Sequence, residues 1–162
     1  MYEHILLAVA LQHGDMPSSH ALAARDAAVA LAQGVGAQLS VLTVYRYPDF
    51  MPSELLIEEQ GRYRQSQIQQ ADAQMQARLT ELFADLCWRD VPLTVLLHTG
   101  RPGPLIVAAA DELGVDLIVI GTHRKRHVLD ILLGGTAGYV SRHALCPVLL
   151  VQPSKLQWFL GD

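Results

Sequence analysis

Residues 116–151 read DLIVIGTHRKRHVLDILLGGTAGYVSRHALCPVLLV, and their order decides the fold. An apolar run, DLIVI (116–120), leads into Gly121 and the basic cluster His123-Arg124-Lys125-Arg126-His127. Gly134 and Gly135 then open a helical pattern, and the stretch closes on a second apolar run, PVLLV (147–151). Short runs of Val, Ile and Leu bounded by turn residues fit strands covered on both faces. Strand, crossover and strand in this order form one parallel unit.

The same alternation extends upstream. HILLAVAL (4–11), QLSVLTVY (38–45) and VPLTVLLH (91–98) are three more apolar runs. Between the first two, Ala21, Ala24, Ala28, Leu31 and Val35 recur at helical spacing, with Ser18 or Ser19 as the cap and Gly34 and Gly36 as the stop. A long helical pattern follows from about Glu54 to Trp88, broken near Gly61. Its apolar face is Ile68, Met75, Leu79, Leu82, Phe83 and Leu86. Leu105, Ile106, Ala109, Ala110 and Leu113 form the inward face of the next helix, which Gly114 ends. Ala137, Val140, Ser141 and Ala144 form that of the last. The predicted fold is α/β: a single domain with an open five-stranded parallel sheet and helices on both faces. Ligands of such sheets bind beyond the carboxyl ends of the strands, where the winding direction reverses. That rule points to the loops after the first and fourth strands.

Composition narrows the function classes. The chain has 162 residues, 51% of them hydrophobic and 17% charged, which suits one folded domain with a real core. A formal charge of −4 argues against general binding to nucleic acid or to an anionic membrane. The apolar N-terminal run follows Glu3 rather than a basic region, so it reads as a first strand and not as a signal peptide. Cys87 and Cys146 have no partner at metal-ligand spacing and read as reduced, buried thiols of a cytoplasmic protein. The seven histidines show no ligand spacing either, and no metal is expected.

The glycine loop carries the chemistry. Phosphate requires close backbone approach, several N–H donors and favourable charge. Gly121 lacks a Cβ at the strand end and has freedom in φ. Gly134 and Gly135 lead into a helix whose first N–H groups and dipole attract an anion. Thr136 adds a hydroxyl in the first turn, and Arg124 adds a guanidinium suited to two-point phosphate contact. No GK[ST] loop and no GxGxxG after the first strand is present, which sets aside the Walker A and dinucleotide motifs.

On the segments YEHILLAV, AVALAQGVGAQLSVLTVY, ADELGVDLIVIGTH and LLGGTAGYVSRHALCPVLLV, the chain resembles the universal stress protein family over nearly its whole length. The resemblance implies a Rossmann-like, adenine nucleotide alpha hydrolase-like sheet in residues 1–152, followed by an apolar tail, 153–162. It also implies binding of ATP, with magnesium, through the family motif G-x2-G-x9-G-[ST]. The first and third glycines of that motif match Gly121 and Gly134. The second falls on Arg124 and the hydroxyl position on Gly135, with Thr136 one residue late. The aspartate that ends the first strand in ATP-binding members is Ala10 here. Val44 matches a position whose backbone meets adenine.

The expected function is therefore a regulatory module of the stress response that binds ATP or a related adenine nucleotide weakly. The alternative is a nucleotide-free, dimeric interaction protein with an unidentified protein partner. No triad, paired carboxylate or Cys/His constellation marks an enzyme, although His123 or His127 beside a phosphate would allow slow hydrolysis. A homodimer through the edge strand 147–151 is expected, since an edge needs cover. Leu156, Trp158, Phe159 and Leu160 in the tail either cover a sheet edge or dock on a second subunit.

Overall fold

Five strands and four helices alternate along the chain, in a computed structural model that describes residues 1–11, 17–46, 65–85, 91–122 and 135–154. They are β1 (His4–Ala8), α1 (Ser19–Val35), β2 (Gln38–Tyr45), α2 (Gln65–Leu82), β3 (Leu93–Thr99), α3 (Pro102–Glu112), β4 (Leu117–Gly121), α4 (Gly135–His143) and β5 (Val148–Val151). The strands form one sheet in the order β3-β2-β1-β4-β5, and every neighbouring pair is parallel. The α/β fold read from the apolar runs is the observed one.

Two cores lie on opposite faces of the sheet. Ile5, Leu7, Leu39, Val41 and Val119 pack with Ala24, Ala28 and Ala32 of α1 and with Leu79 and Leu82 of α2. Leu6, Ala8, Leu42, Ile118 and Ile120 pack with Ile106, Ala109 and Ala110 of α3 and with Val140 of α4. Central strands must be apolar at every position to fill both cores, and residues 5–8 and 117–120 are all buried. That requirement is why the periodicity of these segments is continuous rather than alternating.

Helix ends follow their local chemistry. The Ser18 hydroxyl accepts a hydrogen bond from the Ala21 N–H at 3.2 Å, which makes Ser18 the cap of α1. Gly36, with φ 71°, ends α1, whereas Gly34 lies inside the helix. At the end of α3 the Val115 N–H donates to the Ala110 carbonyl and the Gly114 N–H to that of Asp111. This closure returns the chain to the core at Val115, which is buried, and leaves Leu113 exposed. The inward stripe of α3 therefore ends at Ala110, not at Leu113. In α4 the buried positions are Gly138 and Val140, Ala137 is half-buried and Ser141 faces solvent, while Ala144, half-buried, follows the helix. Tyr139 lies close against α3, since a Cβ on Gly103 would lie 2.8 Å from its ring.

One buried charge joins the first two helices. The Arg25 guanidinium is buried and donates to the Leu82 carbonyl at the end of α2, to Asp85 at 2.8 Å and to neighbouring Asp26. Further along, the Tyr45 hydroxyl donates to Asp72 and ties the carboxyl end of β2 to α2. Residues 54–64, with Gly61, and Leu86, Cys87 and Trp88 lie outside the described residues. Cys146 is half-buried rather than fully buried.

Candidate functional site

The strand order places the reversal of winding between β1 and β4. From β1 the chain proceeds outward to β2 and β3, then crosses back to β4 and on to β5. The carboxyl ends of these two central strands carry Val9–Ala10 and Gly121–Thr122.

Register relates the candidate residues to one another. Ala8 is level with Leu42 of β2 and with Ile120 of β4. The Val9 N–H donates to the Leu42 carbonyl at 3.0 Å, so the ladder continues past β1. Continued by two residues past the last pair of β1, the same register sets Ala10 beside Val44 on one side and Thr122 on the other. Val44 is itself in register with His98 of β3. The alternation of a strand assigns this row to the face covered by α3 and α4. Ala10 is exposed, Val44 and His98 are half-buried, and Thr122 is buried. The sequence reading missed His98, because nothing in the local pattern signals a neighbour set by pairing register.

Gly121 has a different role from the one its loop position suggested. Its φ is not positive, and a Cβ there would lie 2.5 Å from the His20 carbonyl oxygen. The first turn of α1 fills the space over the strand end, so the glycine admits a helix. Its missing Cβ matters; its freedom in φ does not.

Gly135, the first residue of α4, has φ +77° and open space where a side chain would be. A serine or threonine at this family position would be strained, which gives a backbone reason for the glycine. Thr136 follows in the first turn and is half-buried. The N-terminus of α3 also starts beyond a carboxyl strand end. Gly100, with φ 140°, donates its N–H to the Tyr45 carbonyl at 3.1 Å, and Arg101 beside it is exposed. The structure thus brings Ala10, Val44 and Gly121 to one end of the sheet on three adjacent strands. Gly135 and Thr136 stand at the start of the helix that follows β4. Arg124, Gly134, the rest of the basic cluster and Asp15 lie outside the described residues.

Among the described residues no group of His, Cys, Asp and Glu could hold a metal ion. Burial pushes the Cys146 thiol above its ordinary value, a backbone hydrogen bond draws it down, and the negative charge of Asp116 adds to the rise. No helix among the described residues is long and apolar enough to cross a membrane.

The model of the Universal stress protein family matches residues 1–152. The chain belongs to this family. A universal stress protein of Thermus aquaticus is 35% identical over 136 residues, covering 83% of this chain and 92% of the relative. The fold is shared with a universal stress protein solved in complex with cAMP, at TM-score 0.65 and 23% identity over 94% of this chain and 98% of the other. It is shared as well with a family protein of Arabidopsis thaliana solved with AMP bound, at TM-score 0.57 and 17% identity over 94% and 93%.

Proposed function

We propose that this chain is a regulatory module that holds ATP or a related adenine nucleotide weakly, with magnesium, at the carboxyl ends of β1 and β4. The observation that carries the reading is the winding reversal between those strands, with Val9–Ala10 and Gly121–Thr122 following their carboxyl ends. The start of α4 at Gly135 and Thr136 carries first-turn N–H groups and a dipole favourable to phosphate. Two structures of the same fold are described as complexes with cAMP and AMP, which supports the adenine class.

Weak binding follows from what the row lacks. Ala10 has no carboxylate for a ribose hydroxyl, a loss of about 1.5–3 kcal/mol, or roughly ten- to a hundredfold in affinity. Gly135 offers no hydroxyl, and the space over Gly121 belongs to α1. The module is regulatory: nucleotide occupancy biases its contacts with a protein partner, and turnover is not its task.

The test is thermal. Millimolar ATP with magnesium should raise the melting temperature progressively with concentration, and freshly purified protein should release an adenine nucleotide on denaturation. An unmoved melting temperature together with nucleotide-free protein would sink the reading. The exposed alanine at the acidic position favours a second reading, an interaction module that binds no nucleotide. Under that reading only the double variant Ala10→Asp/Arg124→Gly binds ATP, whereas binding by the unaltered chain excludes it.

A further inference from the structure

The carboxyl end of β3 carries a histidine that the nucleotide reading does not use. His98 is in register with Val44 of β2. Alternation fixes its side of the sheet. Leu96, two residues earlier, packs into the core on the α3 and α4 side, and Val44 packs there as well. His98 therefore shares the face of Val44, at the end of the sheet where α3 and α4 begin. The strand end is anchored, because the Gly100 N–H donates to the Tyr45 carbonyl at 3.1 Å and ties the end of β3 to that of β2. The imidazole is thus presented from a held strand.

His98 also differs from its counterparts in what it touches. The His4 ring lies 2.8 Å from the Ser40 hydroxyl, and the His143 ring lies 2.8 Å from the Tyr139 carbonyl and stacks on the Tyr139 ring. His98 is half-buried, and among the described residues none hydrogen-bonds its ring. One flat aromatic face at the carboxyl end of the sheet is left without a polar duty in the fold.

The elements at this end give a bound nucleotide its direction. The first turn of α4, which follows β4, suits phosphate. The winding reversal lies between β4 and β1, so a ligand held at α4 and entering that crevice runs on over β1 towards β2 and β3. From β1 to β3 is two strand spacings, about 10 Å. The end of the ligand remote from phosphate, the base, then reaches Val44 and His98.

We propose that His98 is the base-binding residue of this site, its imidazole stacking on the purine ring of the bound nucleotide. The proposal rests on the nucleotide reading and adds to it the residue that grips the base. Stacking on an aromatic side chain contributes about five- to a hundredfold in affinity for a base. A purine covers more of the imidazole and of Val44 than a pyrimidine does, so AMP binds more tightly than CMP. Ala10 supplies no charge, which leaves a larger share of the affinity to this contact.

A titration of the full chain tests it. The ring C–H resonances of the histidines are followed by NMR as AMP or ribose 5-phosphate is added, with His98 assigned from the variant His98→Phe. AMP should move the His98 resonances upfield through the ring current of adenine, and ribose 5-phosphate should leave them in place. His98→Ala should bind AMP about tenfold more weakly and ribose 5-phosphate unchanged, whereas His98→Phe, which keeps a flat ring, should stay within about threefold of the unaltered chain for AMP. Bound AMP with unmoved His98 resonances, or equal losses for AMP and ribose 5-phosphate in His98→Ala, would overturn the proposal and leave the nucleotide reading standing. Failure of the unaltered chain to bind AMP at millimolar concentration would overturn both. Should His98→Ala not fold, the resonances of the unaltered chain decide alone.

Discussion

The first residue of α4, Gly135, has a left-handed backbone. Gly135 stands where the family places serine or threonine, with φ +77°, a conformation that disfavours any Cβ by about 1–2 kcal/mol. Gly135→Ala should therefore destabilise the protein by about 1–2 kcal/mol in urea unfolding although the space around it is open. A neutral result would mean that α4 begins differently. Cys146 offers a second test at this scale. Its raised pKa makes the folded state prefer the thiol, so this contribution to stability is intact below pH 9.0 and is lost as pH climbs through the higher folded value. In a Cys87→Ser chain, Cys146 should alkylate more slowly than free cysteine at pH 8, because the thiolate is the reactive form. The sequence suggested a reduced, buried thiol; the position is half-buried, and that burial, aided by the charge of Asp116, is what raises the thiol pKa.

Contacts between elements rest on groups that local pattern does not mark. Arg25 sits among the alanines of α1, where the apolar spacing passes over it. In the structure its guanidinium caps the end of α2 through the Leu82 carbonyl and Asp85. Arg25→Met keeps the bulk and loses the charge-assisted hydrogen bonds, and should cost about 1–3 kcal/mol by denaturant unfolding. Asp85 is 69% exposed at its side chain, so Asp85→Asn should cost less than about 1 kcal/mol. Equal losses would show that the ion pair, not the carbonyl cap, holds the helices together. Gly121 belongs here too. Gly121→Ala drives a Cβ against the His20 carbonyl, a backbone atom of α1, and should destabilise by about 1–3 kcal/mol with or without nucleotide. A loss confined to nucleotide affinity would return Gly121 to the phosphate loop.

For the whole molecule, the decisive geometry is the order β3-β2-β1-β4-β5. It makes β1 and β4 neighbours although α1, β2, α2, β3 and α3 separate them in the chain. Restoring the acid at the lip of that junction gives a prediction at this scale. Ala10→Asp should strengthen ATP binding about tenfold or more, read as a larger thermal shift at fixed nucleotide concentration. An unchanged shift would mean that position 10 does not face the ligand.

The sequence by itself determined the order of the strands and helices. A strand buried on both faces must be continuously apolar, and a helix on a sheet must repeat its apolar residues every three or four positions. Those patterns are local and survive in one dimension, as do the serine that caps α1 and the glycines that end α1 and α3. Tertiary structure alone decided that Gly121 makes room for a helix, that His98 joins the row of Val44 and Ala10, and that Arg25 closes α2. It also decided that Leu113 and Ser141 stay outside. Each of these depends on which atoms of a distant segment arrive beside the residue, and pairing register and helix docking set that distance.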